Sequence, residues 1–158
     1  MTPRQPETIV GVISDTHGLV RPEALAALQG SDLIVHAGDV GAPEVLAALG
    51  ALAPVTAVRG NNDRGAWAKA LGESEAVQVA GSWLYVLHDV HALDLDPAAA
   101  GFAAVIAGHS HRPLIEERKG VLFVNPGSAG PRRFTLPVAL ARLRIAGGRV
   151  EGETVVLL

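Results

Sequence analysis

The chain has no cysteine. Disulfides and thiolate metal sites are therefore excluded, and the redox compartment is left open. Aromatic residues make up 4% of its 158 residues, too few for a platform that stacks nucleic-acid bases. Positive charge is not in excess either. The net charge is −3, whereas a general nucleic-acid binder is normally basic. No apolar run approaches the ~20 residues that a membrane span needs. Met1–Thr8 is polar and lacks the apolar core of a secretory leader, so a cytoplasmic location is expected. Lysine is scarce, 2 against 11 arginines, which fits GC-rich coding as well as any function. The length suits a single domain, residues 1–158, large enough to bury a core without staples.

The first half alternates strand and helix signals. Ile9–Ile13, Leu33–Val35 and Val55–Val58 are short apolar runs of the kind buried on both faces. Pro22 opens a helix through Leu28, and Pro43 opens another through Leu49 that Gly50 ends, proline being harmless in a first turn. This order predicts a parallel sheet with right-handed crossovers. The second half changes character. Ala76–Val79 and Trp83–Leu87 flank Ala80-Gly81-Ser82, a hairpin signal. Leu93–Ala100 is read as a helix. Ala104–Ala107, Val121–Val124, Val138–Ile145 and Val150–Leu157 read as strands, with Gly147-Gly148 as a tight turn. Two sheets with helices on their outer faces are expected.

Five of the six histidines fall in short motifs that also hold Asp and Asn. These are Asp15-Thr16-His17, Gly38-Asp39, Gly60-Asn61-Asn62-Asp63, His88 with His91 nearby, and Gly108-His109-Ser110-His111. Most follow a predicted strand, where α/β folds place their binding crevice. Asp15 and His17 are i and i+2, as are His109 and His111, so extended backbone would aim each pair one way. Taken alone, Asp15 caps a turn, Asp39 caps the helix opened by Pro43, and the Asn motif is an ordinary loop. Together they form a set of oxygen and imidazole donors without sulfur, which suits manganese, iron or zinc. Gly38 would let the backbone come close to another group. His36, just before Gly38-Asp39, is read as structural.

In this order the motifs D-x-H, G-D, G-N-x-D, H and G-H-x-H resemble the calcineurin-like metallophosphoesterase superfamily. Asn125-Pro126-Gly127-Ser128 and the small size resemble its compact bacterial and archaeal phosphodiesterase branch. The resemblance runs from Ile9 to about Arg133. It implies an α/β fold, a four-layer αββα sandwich of two mixed sheets flanked by helices. It also implies two divalent metal ions, commonly manganese, with iron, zinc or nickel as alternatives. Carried over by motif, one metal takes Asp15, His17, Asp39 and His111; the other shares Asp39 and takes Asn61, His88 and His109.

The implied activity is hydrolysis of phosphate diesters by a hydroxide shared between the metals. Two departures from the family pattern stand out. Many members have histidine where this chain has Asn62, and a neutral amide is no general acid near pH 7. Many have glycine after the fourth-motif histidine, where this chain has Asp89, which leaves His91 open as an alternative to His88. Asn62, Asp63 and His91 are the candidate catalytic residues beside the ligands. Arg64, Arg112, Arg132 and Arg133 lie near the motifs and are candidates to grip phosphate. The expected partner is a small phosphate ester, with no general nucleic-acid binding and no membrane; a homo-oligomer is left open. The alternatives are a non-catalytic metal-binding scaffold on the same fold and a nuclease, the latter disfavoured by the acidic balance.

Overall fold

Short runs of β-branched and aliphatic residues make the central strands of this computed structural model, which describes residues 6–158. The leaderless reading of Met1–Thr8 falls mainly on residues 1–5, outside the described residues. β1 (Thr8–Ile13), α1 (Pro22–Leu28), β2 (Leu33–His36), α2 (Pro43–Gly50) and β3 (Val55–Ala57) follow one another as expected, with β1, β2 and β3 parallel. Both helices begin with proline and carry a glutamate in the first turn, Glu23 and Glu44, where a negative charge meets the positive end of the helix. A single helical turn, α3 (Ala66–Lys69), comes next.

β4 (Ser74–Val79) and β5 (Ser82–Leu87) pair as a hairpin, and β6 (Phe102–Ile106), β7 (Leu114–Arg118) and β8 (Val121–Asn125) complete the second sheet in the order β4-β5-β6-β8-β7. β9 (Ala139–Ala146) and β10 (Arg149–Val156) return to the first sheet, giving β10-β9-β1-β2-β3. Three turns close two-residue hairpins with positive φ at both central residues: Ala80-Gly81, Lys119-Gly120 and Gly147-Gly148. That geometry matches the right-handed twist of the flanking strands.

The fold is an α/β sandwich of two mixed sheets. Val10, Val12, Val35, Leu84, Val86, Ile106, Leu143 and Ile145 fill the space between the sheets. Ala24 and Leu28 of α1 and Val45 and Leu49 of α2 cover Ile13, Ile34 and Leu140 on the outer face of the first sheet. The second sheet is covered differently. No helix forms over Leu93–Ala100; a 3₁₀ turn, Val90–Ala92, and an irregular loop lie there instead. The segment Leu93-Asp94-Leu95-Asp96-Pro97 alternates polar and apolar residues, and Pro97 obstructs a helix running through it. Only Val90 and Leu93 of this region pack on Leu87, Val105 and Val121. β7 was not expected from the sequence. It is an edge strand with mostly exposed side chains, and its clearest signal was the Lys119-Gly120 turn that follows it. No helix among the described residues is long and apolar enough to cross a membrane.

Candidate metal centre

Strands from both sheets deliver their next residues to one place. β1 leads into Asp15 and His17, β2 into Asp39, β5 into His88, and β6 into His109 and His111. The chain turns sharply as it leaves each of three strands. Asp15, His17, Asp39, His109 and His111 have φ between 47° and 70°, and they are five of the eight non-glycine residues with positive φ among the described residues. This corrects the expectation that strand-like alternation aims the i, i+2 pairs. The pairs converge through left-handed backbone instead, a conformation that costs of order 1–3 kcal/mol per residue and gathers at functional sites.

The side chains meet closely. Asp15 Oδ1 lies 3.4 Å from His111 Nε2, 3.9 Å from His88 Nε2 and 4.0 Å from His17 Nε2. Asp39 Oδ2 lies 3.3 Å from His88 Nε2 and 3.9 Å from His17 Nε2. Two groups have the spacing of metal-ligand sets: Asp15, His17 and His111, and Asp15, Asp39 and His88. Asp15 belongs to both.

Among the described residues four buried side-chain polar atoms lack a hydrogen-bond partner: Asp15 Oδ1, His17 Nε2, His88 Nε2 and His111 Nδ1. All four belong to this cluster. A buried polar atom without a partner costs about 1–3 kcal/mol, and three of these, Asp15 Oδ1 with His17 Nε2 and His88 Nε2 within 4.0 Å of it, fit a cation that they would ligate together. Carboxylate and imidazole donors without sulfur fit a divalent transition metal.

Surrounding bonds fix these donors. His88 Nδ1 donates to the Ala37 carbonyl at 2.8 Å, which leaves the Nε2 lone pair facing Asp39. Asp15 Oδ2 accepts from Ser14 Oγ at 2.8 Å and from the His109 N–H at 3.1 Å. Asp39 accepts from Asn62 twice, N–H to Oδ1 at 2.9 Å and Nδ2 to Oδ2 at 3.1 Å. Ser128 of the Asn-Pro-Gly-Ser segment donates to the Asp15 carbonyl at 3.0 Å. His36 is fully buried, accepts from the Gly38 N–H at 3.1 Å and lies 2.9 Å from Thr16 Oγ1, so it holds two ligand loops together. Gly38 and Gly60 show why side chains are missing there: a Cβ on Gly38 would meet His88 Nδ1 at 2.6 Å, and one on Gly60 would strike Asp39.

The charges in the cluster conflict. Burial pushes the Asp15 carboxyl up, helped by Asp39 and opposed by Ser14, His88 and His111. For Asp39 burial acts the same way, but the His88 ring beside it and hydrogen bonds from Asn62 outweigh it and hold the carboxyl well below its usual range. His88 is raised, because the nearby Asp39 and Asp15 carboxylates and its bond to Ala37 outweigh burial. His111 is lowered by burial, with Arg133 adding to the effect and Asp15 opposing it.

The other expected site residues are placed as follows. The His109 ring stands 5.1 Å from the His88 ring, with Nε2 3.9 Å from Asp89 Oδ2, beside the cluster and outside its two tight groups. Asn61 is exposed, and its neighbour Asn62 makes the bonds to Asp39. A catalytic Asp63 is not what the structure shows. Its carboxylate is occupied by the N–H groups of Val40, Gly41 and Gly60 at 2.9–3.2 Å, tying the loop after β3 to the loop after β2. The side chain of His91 is 89% exposed, and its Nδ1 lies 3.1 Å from Asp89. Asp89, a departure from the family pattern in the sequence, therefore sits between His91 and His109. Of the four arginines, Arg133 acts electrostatically on His111, whereas Arg132 bonds the carbonyls of Leu136 and Leu158.

The model of the calcineurin-like phosphoesterase superfamily domain matches residues 9–148. The chain belongs to that superfamily. It is similar to a probable metallophosphoesterase of Methanothermobacter thermautotrophicus, 36% identical over 158 residues that cover 93% of this chain and 91% of the relative. In fold it is similar to a structurally characterised archaeal phosphodiesterase, TM-score 0.77 at 22% identity, covering 94% of this chain and 100% of that one. Wild-type Vps29 of Entamoeba histolytica, complexed with zinc, shares the fold with TM-score 0.71 at 23% identity, covering 96% of this chain and all of the other. Family and geometry together describe a metal-dependent phosphoesterase whose cluster of donors lies at the ends of β1, β2, β5 and β6.

Proposed function

We propose that the protein is a phosphodiesterase that works with two divalent ions, manganese being the first candidate, bound by Asp15, His17, Asp39, His88, His109 and His111 with Asn61 closing the set. The observation that carries this reading is the set of unpartnered buried donor atoms that meet around Asp15 Oδ1, His17 Nε2 and His88 Nε2, in two overlapping groups. Divalent ions held there would supply an activated water and neutralise charge on phosphoryl oxygens.

The chain's own residues do the rest. Asp15 and Asp39 supply the only carboxylates of the two tight groups, and the imidazoles are otherwise neutral donors. Two dications among two carboxylates leave excess positive charge, and charge on bound ions dominates such a site. A monoanionic diester matches that excess better than a dianionic monoester. His88, fixed by Ala37, presents one defined nitrogen. Asn62 keeps Asp39 turned toward the cluster and has no acidic proton to give to a leaving group. Esters with good leaving groups are therefore the preferred substrates.

The test compares kcat/KM for a matched aryl diester and aryl monoester with manganese at neutral pH, corrected for their intrinsic reactivities. Preference for the diester is expected. A clear monoester preference contradicts the charge argument and points to a compensating arginine near the centre, Arg112 or Arg133.

A further inference from the structure

A cleft of about 540 Å³ opens on the second sheet, where the 3₁₀ turn and loop stand in place of a helix. Val90, Val105, Ala107, Leu114, Phe123 and Leu136 form an apolar wall. Gly108, His109 and Asp89 line the same cleft. It is thus continuous with the metal centre: the His109 ring is 5.1 Å from that of His88, whose Nε2 is 3.3 Å from Asp39. The size falls within the ~300–1,000 Å³ of small-molecule sites. Leu114 is 44% exposed here, an apolar side chain left open to solvent at the edge of the wall.

Two arginines line the cleft and differ in their pairing. Arg118 lies 4.9 Å over the Phe123 ring, and Glu116 holds its guanidinium at 2.7 Å. Arg112 follows His111 directly, and its guanidinium has no hydrogen-bond or carboxylate partner among the described residues. The cleft therefore runs from the metal ligands, past an uncompensated cation, to an apolar wall with an aromatic face. That sequence of surfaces fits a phosphate joined to a flat ring.

We propose that this cleft is the specificity subsite of the phosphodiesterase, and that it seats an aryl or heteroaryl ester arm with Arg112 beside the phosphate. The assignment rests on the phosphodiesterase reading above. The apolar wall offers nothing to a departing oxyanion, so the arm seated there is the one retained on phosphorus. In the reaction water's oxygen forms the new P–O bond, the bond to the other arm breaks, and a proton from water ends on that departing oxygen. The product keeps the ring as a phosphate monoester.

The experiment uses two substrates with the same leaving group, phenyl p-nitrophenyl phosphate and methyl p-nitrophenyl phosphate, with the manganese-loaded protein. The phenyl diester should be favoured in kcat/KM by at least about tenfold, the worth of a partly buried ring, mainly through KM. The ratio should fall toward one in Leu114→Trp and in Leu136→Trp, each of which adds bulk to the lining of the cleft. Equal kcat/KM for the two esters, or a ratio unmoved by both fillings, overturns the proposal. Methyl NMR of Val90, Val105, Leu114 and Leu136 with 1-naphthyl methylphosphonate gives a readout independent of turnover. Shifts at these methyls support the subsite even if neither ester is hydrolysed, a result that would count against the phosphodiesterase reading alone. No shifts with the naphthyl probe, or shifts produced only by an apolar peptide, overturn it and leave the cleft as a protein contact.

Discussion

Asn62 grips Asp39 with both its backbone and its side chain, N–H to Oδ1 at 2.9 Å and Nδ2 to Oδ2 at 3.1 Å. A residue that stands where many relatives of this family place a histidine is here an orienting group for a carboxylate. Asn62→Ala removes one of the two bonds and leaves the other. Partners of this kind are worth about 10–100-fold in metal affinity. Isothermal titration with manganese should show a loss in that range. Unchanged affinity would mean that the backbone N–H suffices.

The unpartnered atoms of Asp15, His17 and His88 predict a strong response to metal. An ion at 100 times its Kd stabilises the folded state by about 2.7 kcal/mol. For a chain of this length that is a rise in Tm of roughly 5–10 °C. Thermal melts in manganese and in chelator measure it, and Asp39→Asn should abolish most of the difference. Superimposable melts would remove the case for a metal centre.

His36 predicts a specific pH dependence. Full burial, with the charge of His88 adding to it, pushes its pKa down from 6.5 to about 3. The unfolded chain therefore takes up this proton first as pH falls. The stabilisation is complete above about pH 6.5 and is lost from there toward pH 3, at up to ~1.4 kcal/mol per pH unit. The ring proton resonances of His36 should stay in the neutral form from pH 8 to 5. A His36 midpoint above 5 contradicts this account.

Two glycines give opposite expectations. Gly60 has no positive φ, but a Cβ there would strike Asp39. Gly60→Ala should cost about 1–3 kcal/mol by overpacking and weaken metal binding as well. Gly50 lies in α2 with nothing within 4 Å of its missing Cβ. Gly50→Ala should stabilise by roughly 0.5 kcal/mol and leave metal binding alone. Denaturant unfolding reads both, and a stabilised Gly60→Ala would show that the loops after β2 and β3 can part freely.

The sequence alone determined the central strands, the two proline-started helices and the cluster of Asp and His residues. Buried strands are nearly all apolar, prolines mark helix starts, and ligand residue types stand out at strand ends, so each is a local signal. It also carried the family, because five short motifs in order are distinctive even where each is weak. Other features depended on what lies far away in the chain. Asn62 faces Asp39, and Asp63 holds three backbone amides, because the loops after β2 and β3 pack together. No spacing within Gly60-Asn61-Asn62-Asp63 reveals that. The left-handed backbone at Asp15, His17, Asp39, His109 and His111 was equally hidden, since Asp and His are not residues that announce positive φ as glycine does. The same holds for the open face of the second sheet. Pro97 already marks Leu93–Ala100 as a poor helix, but that only Val90 and Leu93 pack on Val105 and Val121 is decided by tertiary structure, because packing, unlike pattern, is set only when both surfaces are in place.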